Sequence, residues 1–366
     1  MMSSMRVAVT LEHLWHRVPG GTGVATLETL SALVARQDAP QMVGVAGRHD
    51  TPPATAWLPP ESVPVEQHRR LHGPWLYESW LRFGRPTVES ITGDVDVVHA
   101  TTIIPPPCRA PLVVTLHDLA FLHRPDHFTR RGVSVFRRSL EIVRRRAALV
   151  LCSSQSTLDD ACRVGLDPSR LRLVPLGVRC VEVSCDDRRR VRSRYALPER
   201  FVLFVGTVEP RKNLAGLIAA LARIEGAPPL VVAGALGWGG AQRHLDQAEV
   251  DVRFVGFVAP DDLAALYAEA AALCVPSLRE GFGLPVLEAM AQGTPVVTSR
   301  GTATEEAAGG AASLVDPYDV SDIARGLCEV LGAPESFRER GRVRAASATW
   351  ALTAQVTLDA YAEVCS

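Results

Sequence analysis

Pro276-Ser277-Leu278-Arg279-Glu280-Gly281-Phe282-Gly283-Leu284-Pro285-Val286-Leu287-Glu288-Ala289-Met290 follows the apolar run Ala272-Leu273-Cys274-Val275. The stretch reads as a strand that turns through glycines into a helix. Glu280 lies in the turn, and Glu288 lies eight residues on, in the helix. Gly281 and Gly283 leave backbone N–H groups able to face a ligand. A carboxylate accepts hydrogen bonds from paired hydroxyls, so glutamates placed this way suit a ribose or a hexose.

Similar runs recur on both sides of this junction. Arg6-Val7-Ala8-Val9-Thr10, Val95-Asp96-Val97-Val98, Leu112 to Leu116 and Ala148 to Leu151 precede it, with Phe201 to Val205 and Leu230 to Ala233. Pro295 to Thr298 follows it. Short, nearly continuous Val/Leu runs suit strands buried on both faces, as in parallel sheets. Segments of helical spacing lie between them, such as Leu214-Leu217-Ile218-Leu221 and Leu263-Leu266-Tyr267 after Pro260-Asp261-Asp262. Strand and helix in alternation predict an α/β chain of two Rossmann-like, doubly wound domains. The alternation breaks once, near 176–198, in the charged stretch Asp186-Asp187-Arg188-Arg189-Arg190. That break sets the expected domains at 1–180 and 181–349, with a C-terminal helix over 350–366. A stretch rich in Pro and Ala at 50–66 reads as a surface loop.

Bulk properties agree with a chain of two such domains. Its 366 residues exceed an average single domain, and 47% hydrophobic against 22% charged content gives each half a core. A formal net charge of −1 speaks against a nucleic-acid partner. None of the eight cysteines stands in C-x-x-C spacing, so reduced thiols are expected, with Cys152 and Cys274 buried in apolar runs. A strand-like run begins at once after the first residues, and no stretch of about 18 apolar residues occurs. The expectation is a cytoplasmic protein without a signal peptide or membrane span.

Three more strings sit at strand ends. Gly206-Thr207-Val208-Glu209-Pro210-Arg211-Lys212-Asn213 follows the run at 201–205. Arg211 and Lys212 stand at the start of a helix, where the macrodipole disfavours cations. A local rule broken at a strand's carboxyl end marks a functional site, and two cations there suit a diphosphate. Thr115-Leu116-His117-Asp118-Leu119 places His117 to donate a hydrogen bond to a ligand at its own strand end. Pro19-Gly20-Gly21-Thr22-Gly23 lies just before a helical segment, where backbone N–H groups can meet an anion. It lacks the full G-x-G-x-x-G pattern, which argues against a nicotinamide-dependent dehydrogenase.

Taken in order, these strings resemble the retaining glycosyltransferase family 4 group with the GT-B fold. Glu280 and Glu288 match that family's Glu-x7-Glu motif. Gly293-Thr294-Pro295-Val296-Val297, Leu314-Val315-Asp316-Pro317 and Val174-Pro175-Leu176-Gly177-Val178 match too. The resemblance implies two domains facing across a cleft, with the C-terminal helix crossing back to the first. It implies that Arg211 and Lys212 bind the donor diphosphate and that Glu288 holds the ribose hydroxyls. Glu280, with the backbone of Phe282, Gly283 and Leu284, would hold the donor sugar and its proximal phosphate. His117 would contact that sugar, and Gly20 and Gly21 would approach the diphosphate or the acceptor. Thr207 stands where many members carry Arg, a departure at the donor site. The Glu-Pro-Arg-Lys-Asn form resembles a subgroup that often uses GDP-mannose.

The implied reaction moves a hexose from a nucleotide-diphosphate sugar to a glycan, lipid-linked or natural-product hydroxyl. Same-face attack, with the departing phosphate as base, would retain the anomeric configuration. Arg211 and Lys212 can stabilise the leaving group, so neither a metal nor another cofactor is expected. Two rivals stay open: a GT-B-fold binding protein without catalysis, and another sugar-nucleotide enzyme such as an epimerase. One feature lies outside the motifs. The pairs Arg130-Arg131, Arg137-Arg138 and Arg144-Arg145 recur every seven residues and would share one helix face. Such a face suits either peripheral contact with an anionic membrane or plain solvation.

Overall fold

The computed structural model describes residues 5–237 and 250–366. The chain divides into two compact units, Met1–Leu176 with Trp350–Ser366, and Gly177–Thr349. The first unit holds β1 (Arg6–Thr10), β2 (Gln41–Ala46), β3 (Val65–Gln67), β4 (Val97–Ala100), β5 (Leu112–Leu116), β6 (Ala147–Cys152) and β7 (Leu171–Leu173). Among the described residues they form one seven-stranded sheet in the order β3-β2-β1-β4-β5-β6-β7, with every pair parallel. The second unit holds β8 (Val202–Val205), β9 (Leu230–Ala233), β10 (Val252–Gly256), β11 (Ala272–Val275), β12 (Val296–Ser299) and β13 (Ser313–Val315). Its order is β10-β9-β8-β11-β12-β13, again parallel throughout.

The continuous apolar runs have a simple cause. Along β1, Ala8 enters one apolar cluster with Val43, Val98 and Val114, while Val7 and Val9 enter another with Met42, Val97 and Val113. Successive side chains on a strand point to opposite faces. Both faces of the sheet are covered by helices, so both sets must be apolar. The helix Trp350–Cys365 completes the second cluster with Ala354, Ala360 and Tyr361, and packs along the helix Gly20–Val34. Cys152 and Cys274 are fully buried as free thiols.

Each sheet reverses its winding once, beside β1 in the first unit and beside β8 in the second. In open parallel sheets the loops leaving the two strands at such a reversal part to opposite sides and open a crevice at the carboxyl ends. In the second unit those strands are β8 and β11, and they pair directly. The string at 206–213 and the string at 276–283 are therefore neighbours by topology. No helix among the described residues is long and apolar enough to cross a membrane.

Candidate active site

Glycine shapes the loop after β8. Gly206 has φ 144°, and a Cβ there would sit 3.4 Å from Lys212 Cε. The lysine stem therefore lies over the strand end. The short turn Pro210–Lys212 ends at Asn213, whose left-handed φ of 57° returns the chain to the helix Leu214–Leu221. Asn213 Nδ2 donates to the carbonyls of Pro276, at 3.1 Å, and Pro317, at 2.7 Å. Leu278 N–H donates to the Arg211 carbonyl at 2.8 Å. The bonds to Pro276 and from Leu278 lock the β8 loop to the β11 loop, and the bond to Pro317 ties it to the segment after β13.

The locked loops bring four charges together. Lys212 Nζ lies 2.5 Å from Glu280 Oε1. Arg211 lies 2.9 Å from Glu280 Oε2 and 2.7 Å from Glu209 Oε1. Ser277 donates its hydroxyl proton to Glu280 Oε1 at 2.8 Å. Glu209, Lys212 and Glu280 are all buried. Burial alone would push the Glu280 carboxyl upward. The Lys212 ammonium and the Arg211 guanidinium, with the hydrogen bonds from Lys212 and Ser277, outweigh it and hold the group down at about 2. The cluster is two cations against two carboxylates. The cations are thus positioned before any anion arrives, which is the preorganisation that charge stabilisation in a transition state needs. Both Glu280 oxygens face cations.

Gly283 caps the following helix, Leu284–Ala291, at φ 102°, and a Cβ there would meet Thr304 Cγ2 at 2.7 Å. Only glycine suits that position. No side chain caps this helix. The first-turn N–H groups of a helix have no partner within it, which makes such an end suited to a phosphate. Glu288 accepts a hydrogen bond from the buried Tyr267 hydroxyl at 2.6 Å. Burial and the Glu288 charge raise the Tyr267 phenol well above its ordinary value, so it stays a donor. Thr207 is half-buried, between Gly206 and the bridge of Val208 to Leu236.

The remaining sequence-derived residues belong to the first unit. Gly20, at φ 61°, is the first residue of the helix Gly20–Val34, and Gly21 is the second; no side chain caps this end either. His117 follows β5 and is half-buried. Burial lowers its imidazole pKa, against the opposing pull of Asp118 and a hydrogen bond to the Thr101 backbone. Its Nε2 is buried with no hydrogen-bond partner among the described residues. Sequence reading assigned no role to Glu209, Ser277, Asn213 or Tyr267. Glu209 and Asn213 stand in the quoted string, and the signal available there was their position between a strand end and a helix.

Comparison with known proteins matches this architecture. A model of the group 1 glycosyl transferases covers residues 187–346, and a model of glycosyltransferase family 4 covers residues 19–182. The chain is 32% identical to O-antigen chain mannosyltransferase B of Escherichia coli, over 68% of this chain and 69% of that protein. It is 30% identical to the MMP alpha-(1->4)-mannosyltransferase of Mycolicibacterium hassiacum, over 74% of this chain and 71% of that one. Among solved structures, Anabaena HepE in complex with UDP and glucose superposes with a TM-score of 0.75 at 19% identity, over 98% of this chain and 100% of that one.

Proposed function

The chain belongs to glycosyltransferase family 4, with a group 1 glycosyl transferase domain as its second unit, and we propose that it transfers mannose from a nucleotide-diphosphate sugar, GDP-mannose by preference, to a hydroxyl acceptor. The observation that carries this reading is the Arg211–Lys212–Glu280 cluster, with Lys212 and Glu280 buried, at the adjoining ends of β8 and β11. The names of the two relatives above, both mannosyltransferases, and the Glu-Pro-Arg-Lys-Asn string support mannose as the sugar.

In the proposed reaction the bond from the anomeric carbon to the distal phosphate breaks and a bond to the acceptor oxygen forms on the same face. The acceptor proton passes to the departing phosphate. Arg211 and Lys212, with the N–H groups at the start of Leu284–Ala291, stabilise the charge growing on the nucleoside diphosphate. Glu280 orients both cations. Glu288, steadied by Tyr267, accepts from the ribose hydroxyls. His117 meets the sugar, and Gly20 and Gly21 offer N–H groups to the diphosphate or the acceptor. The cations take the place a divalent metal has in other transferases. Nucleoside diphosphate release from a panel of GDP-, UDP-, ADP- and dTDP-sugars tests this. GDP release from GDP-mannose, undiminished by EDTA, is expected. Release from no donor contradicts the reading, and loss with EDTA contradicts its metal-free part.

Contact with an anionic bilayer belongs to the same proposal. Arg131 and Arg138 reach from the helix Arg130–Arg146 to Glu78 on the helix Gly73–Phe83, flanking a groove of about 610 Å³. Trp75 and Phe83 stand at this groove 70% and 75% exposed, beside Arg82. Arg130 and Arg137 are also exposed. Arg144 and Arg145 instead pair with Glu141. Exposed aromatics among arginines suit an interface with anionic headgroups. Co-sedimentation with vesicles containing phosphatidylglycerol, absent with pure phosphatidylcholine and lost in W75S/F83S, is expected. Equal binding to both vesicles, or none, contradicts it.

A further inference from the structure

Beside the C-terminal helix the first unit holds a small pocket of about 30 Å³, with Thr101, Thr115, His99, His117 and Tyr361 in its wall. His99 Nδ1 lies 2.7 Å from the Tyr361 hydroxyl, and His99 Nε2 lies 2.7 Å from Thr115 Oγ1. Tyr361 is fully buried. A buried hydroxyl that keeps its proton unspent carries a desolvation cost. Tyr361 avoids that cost only by donating to Nδ1. Burial holds the His99 pKa down at about 3, so the ring is neutral and its single proton then resides on Nε2. That proton goes to Thr115 Oγ1. The Thr115 hydroxyl proton is consequently directed elsewhere.

His117 lies two residues beyond Thr115, just past the end of β5, and both side chains line the pocket. Its bond to the Thr101 backbone raises its pKa, as a ring N–H given to a carbonyl does. A neutral ring that spends its proton on Nδ1 presents a lone pair at Nε2, the atom that lacks a partner. Thr115 thus has a proton to give and His117 has a site to receive one, both at the wall of one pocket. The pocket exceeds the roughly 10–15 Å³ that one water needs.

We propose that Tyr361 is a positioning residue for His117. It heads a directed hydrogen-bond relay from its own hydroxyl through His99 and Thr115 to a water in the pocket, and that water donates to His117 Nε2. The relay fixes both imidazole tautomers and holds His117 as an acceptor, in place of the donor role read for it from its position at the strand end. His13 and Asp118 are the other titratable groups acting on His117. His13 is neutral as well, and its Nε2 is spent on Thr26 at 3.1 Å. The relay goes beyond the transferase reading, which gives only His117 its use; its test needs no substrate.

Long-range 15N–1H spectra of the full chain with labelled histidine read the tautomers directly, with His99→Gln and His117→Gln used for assignment. Wild type is expected to show His99 as the Nε2–H form and His117 as the Nδ1–H form. In Tyr361→Phe, His99 is expected to become a mixture of tautomers. A donor to the neutral ring disfavours protonation, so its loss shifts the His117 titration upward. Thr115→Val keeps the side-chain shape and is expected to shift the His117 titration the same way with His99 still in the Nε2–H form. His99 found as the Nδ1–H form in wild type would overturn the proposal. So would a His117 titration unchanged in both variants while thermal unfolding shows them folded.

Discussion

At Lys212 and Glu280 two opposite charges lie 2.5 Å apart with their side chains 11% and 7% exposed. Removing one partner of a buried pair leaves the other uncompensated, at a cost of about 3–5 kcal/mol. Lys212→Ala leaves Glu280 with Arg211 and Ser277, so it is expected to destabilise the second unit by less than that, read by denaturant unfolding. It is also expected to lower the transfer rate by about 10²–10³-fold, the loss typical of one preorganised charge-stabilising group. Acid acts through different residues in two windows. His13 and His99 have folded pKa values of about 3 against 6.5 ordinarily, so the unfolded chain binds more protons as pH falls from 6.5 to 3. Each then withdraws up to about 1.4 kcal/mol of stability per pH unit. Glu280, at about 2 against 4.5, contributes stability that is present above pH 4.5 and lost as pH falls toward 2. The unfolding midpoint is expected to decline below pH 6.5, and His13→Gln/His99→Gln is expected to flatten the decline between 6.5 and 4.5. That Arg211, Lys212 and Glu280 share one place was legible because each stands in a short string at a strand end. Tyr267 and Tyr361 were not, since their partners Glu288 and His99 lie 21 and 262 residues away. Nothing local marks a hydrogen bond across such distances.

Elements were legible in several places where burial on both faces forces an uninterrupted apolar run, as in β5, β8, β11 and β12, but β2, with Met42 to Ala46 buried, was not read as a strand although it carries such a run. The edge strands β3 and β7 are only three residues long, and β10 carries Arg253 and an exposed Phe254. A strand covered on one side only has no continuous run to display. The loops are held by backbone geometry. Gly283→Ala would place a Cβ against Thr304 in a left-handed conformation, a strain of about 1–3 kcal/mol. The loop is expected to relieve it by turning the start of Leu284–Ala291 away from the phosphate. Calorimetric titration with nucleoside diphosphate reads that loss, with little change expected in the other unit's unfolding. The arginine stripe was legible as one helix face, but the pairing of Arg131 and Arg138 with Glu78 was not, because it depends on a second helix; the pairs of Arg144 and Arg145 with Glu141 are i,i+3 and i,i+4 neighbours on one helix.

For the whole molecule, the parallel fold follows from the alternation of runs and helices, whereas the path of the last helix does not. Trp350–Cys365 follows the second unit in sequence yet completes the core of the first. Its apolar residues mark a buried face, and only the fold says whose core takes it. Removing 350–366 is expected to unfold the first unit at a lower temperature while the second unit's transition stays near its wild-type position. Calorimetry with a nucleotide ligand to mark the second unit separates the two. In the proposed function the Arg211–Lys212–Glu280 cluster receives a nucleotide-diphosphate sugar. Thermal unfolding of the purified chain against GDP, UDP, ADP and dTDP, each alone and as sugar conjugates and without metal, reads this binding, since a ligand raises the midpoint by mass action. A rise with GDP and GDP-mannose, abolished by Lys212→Ala and Glu288→Ala, is the predicted result. A rise that survives both substitutions, or no rise with any nucleotide, contradicts it.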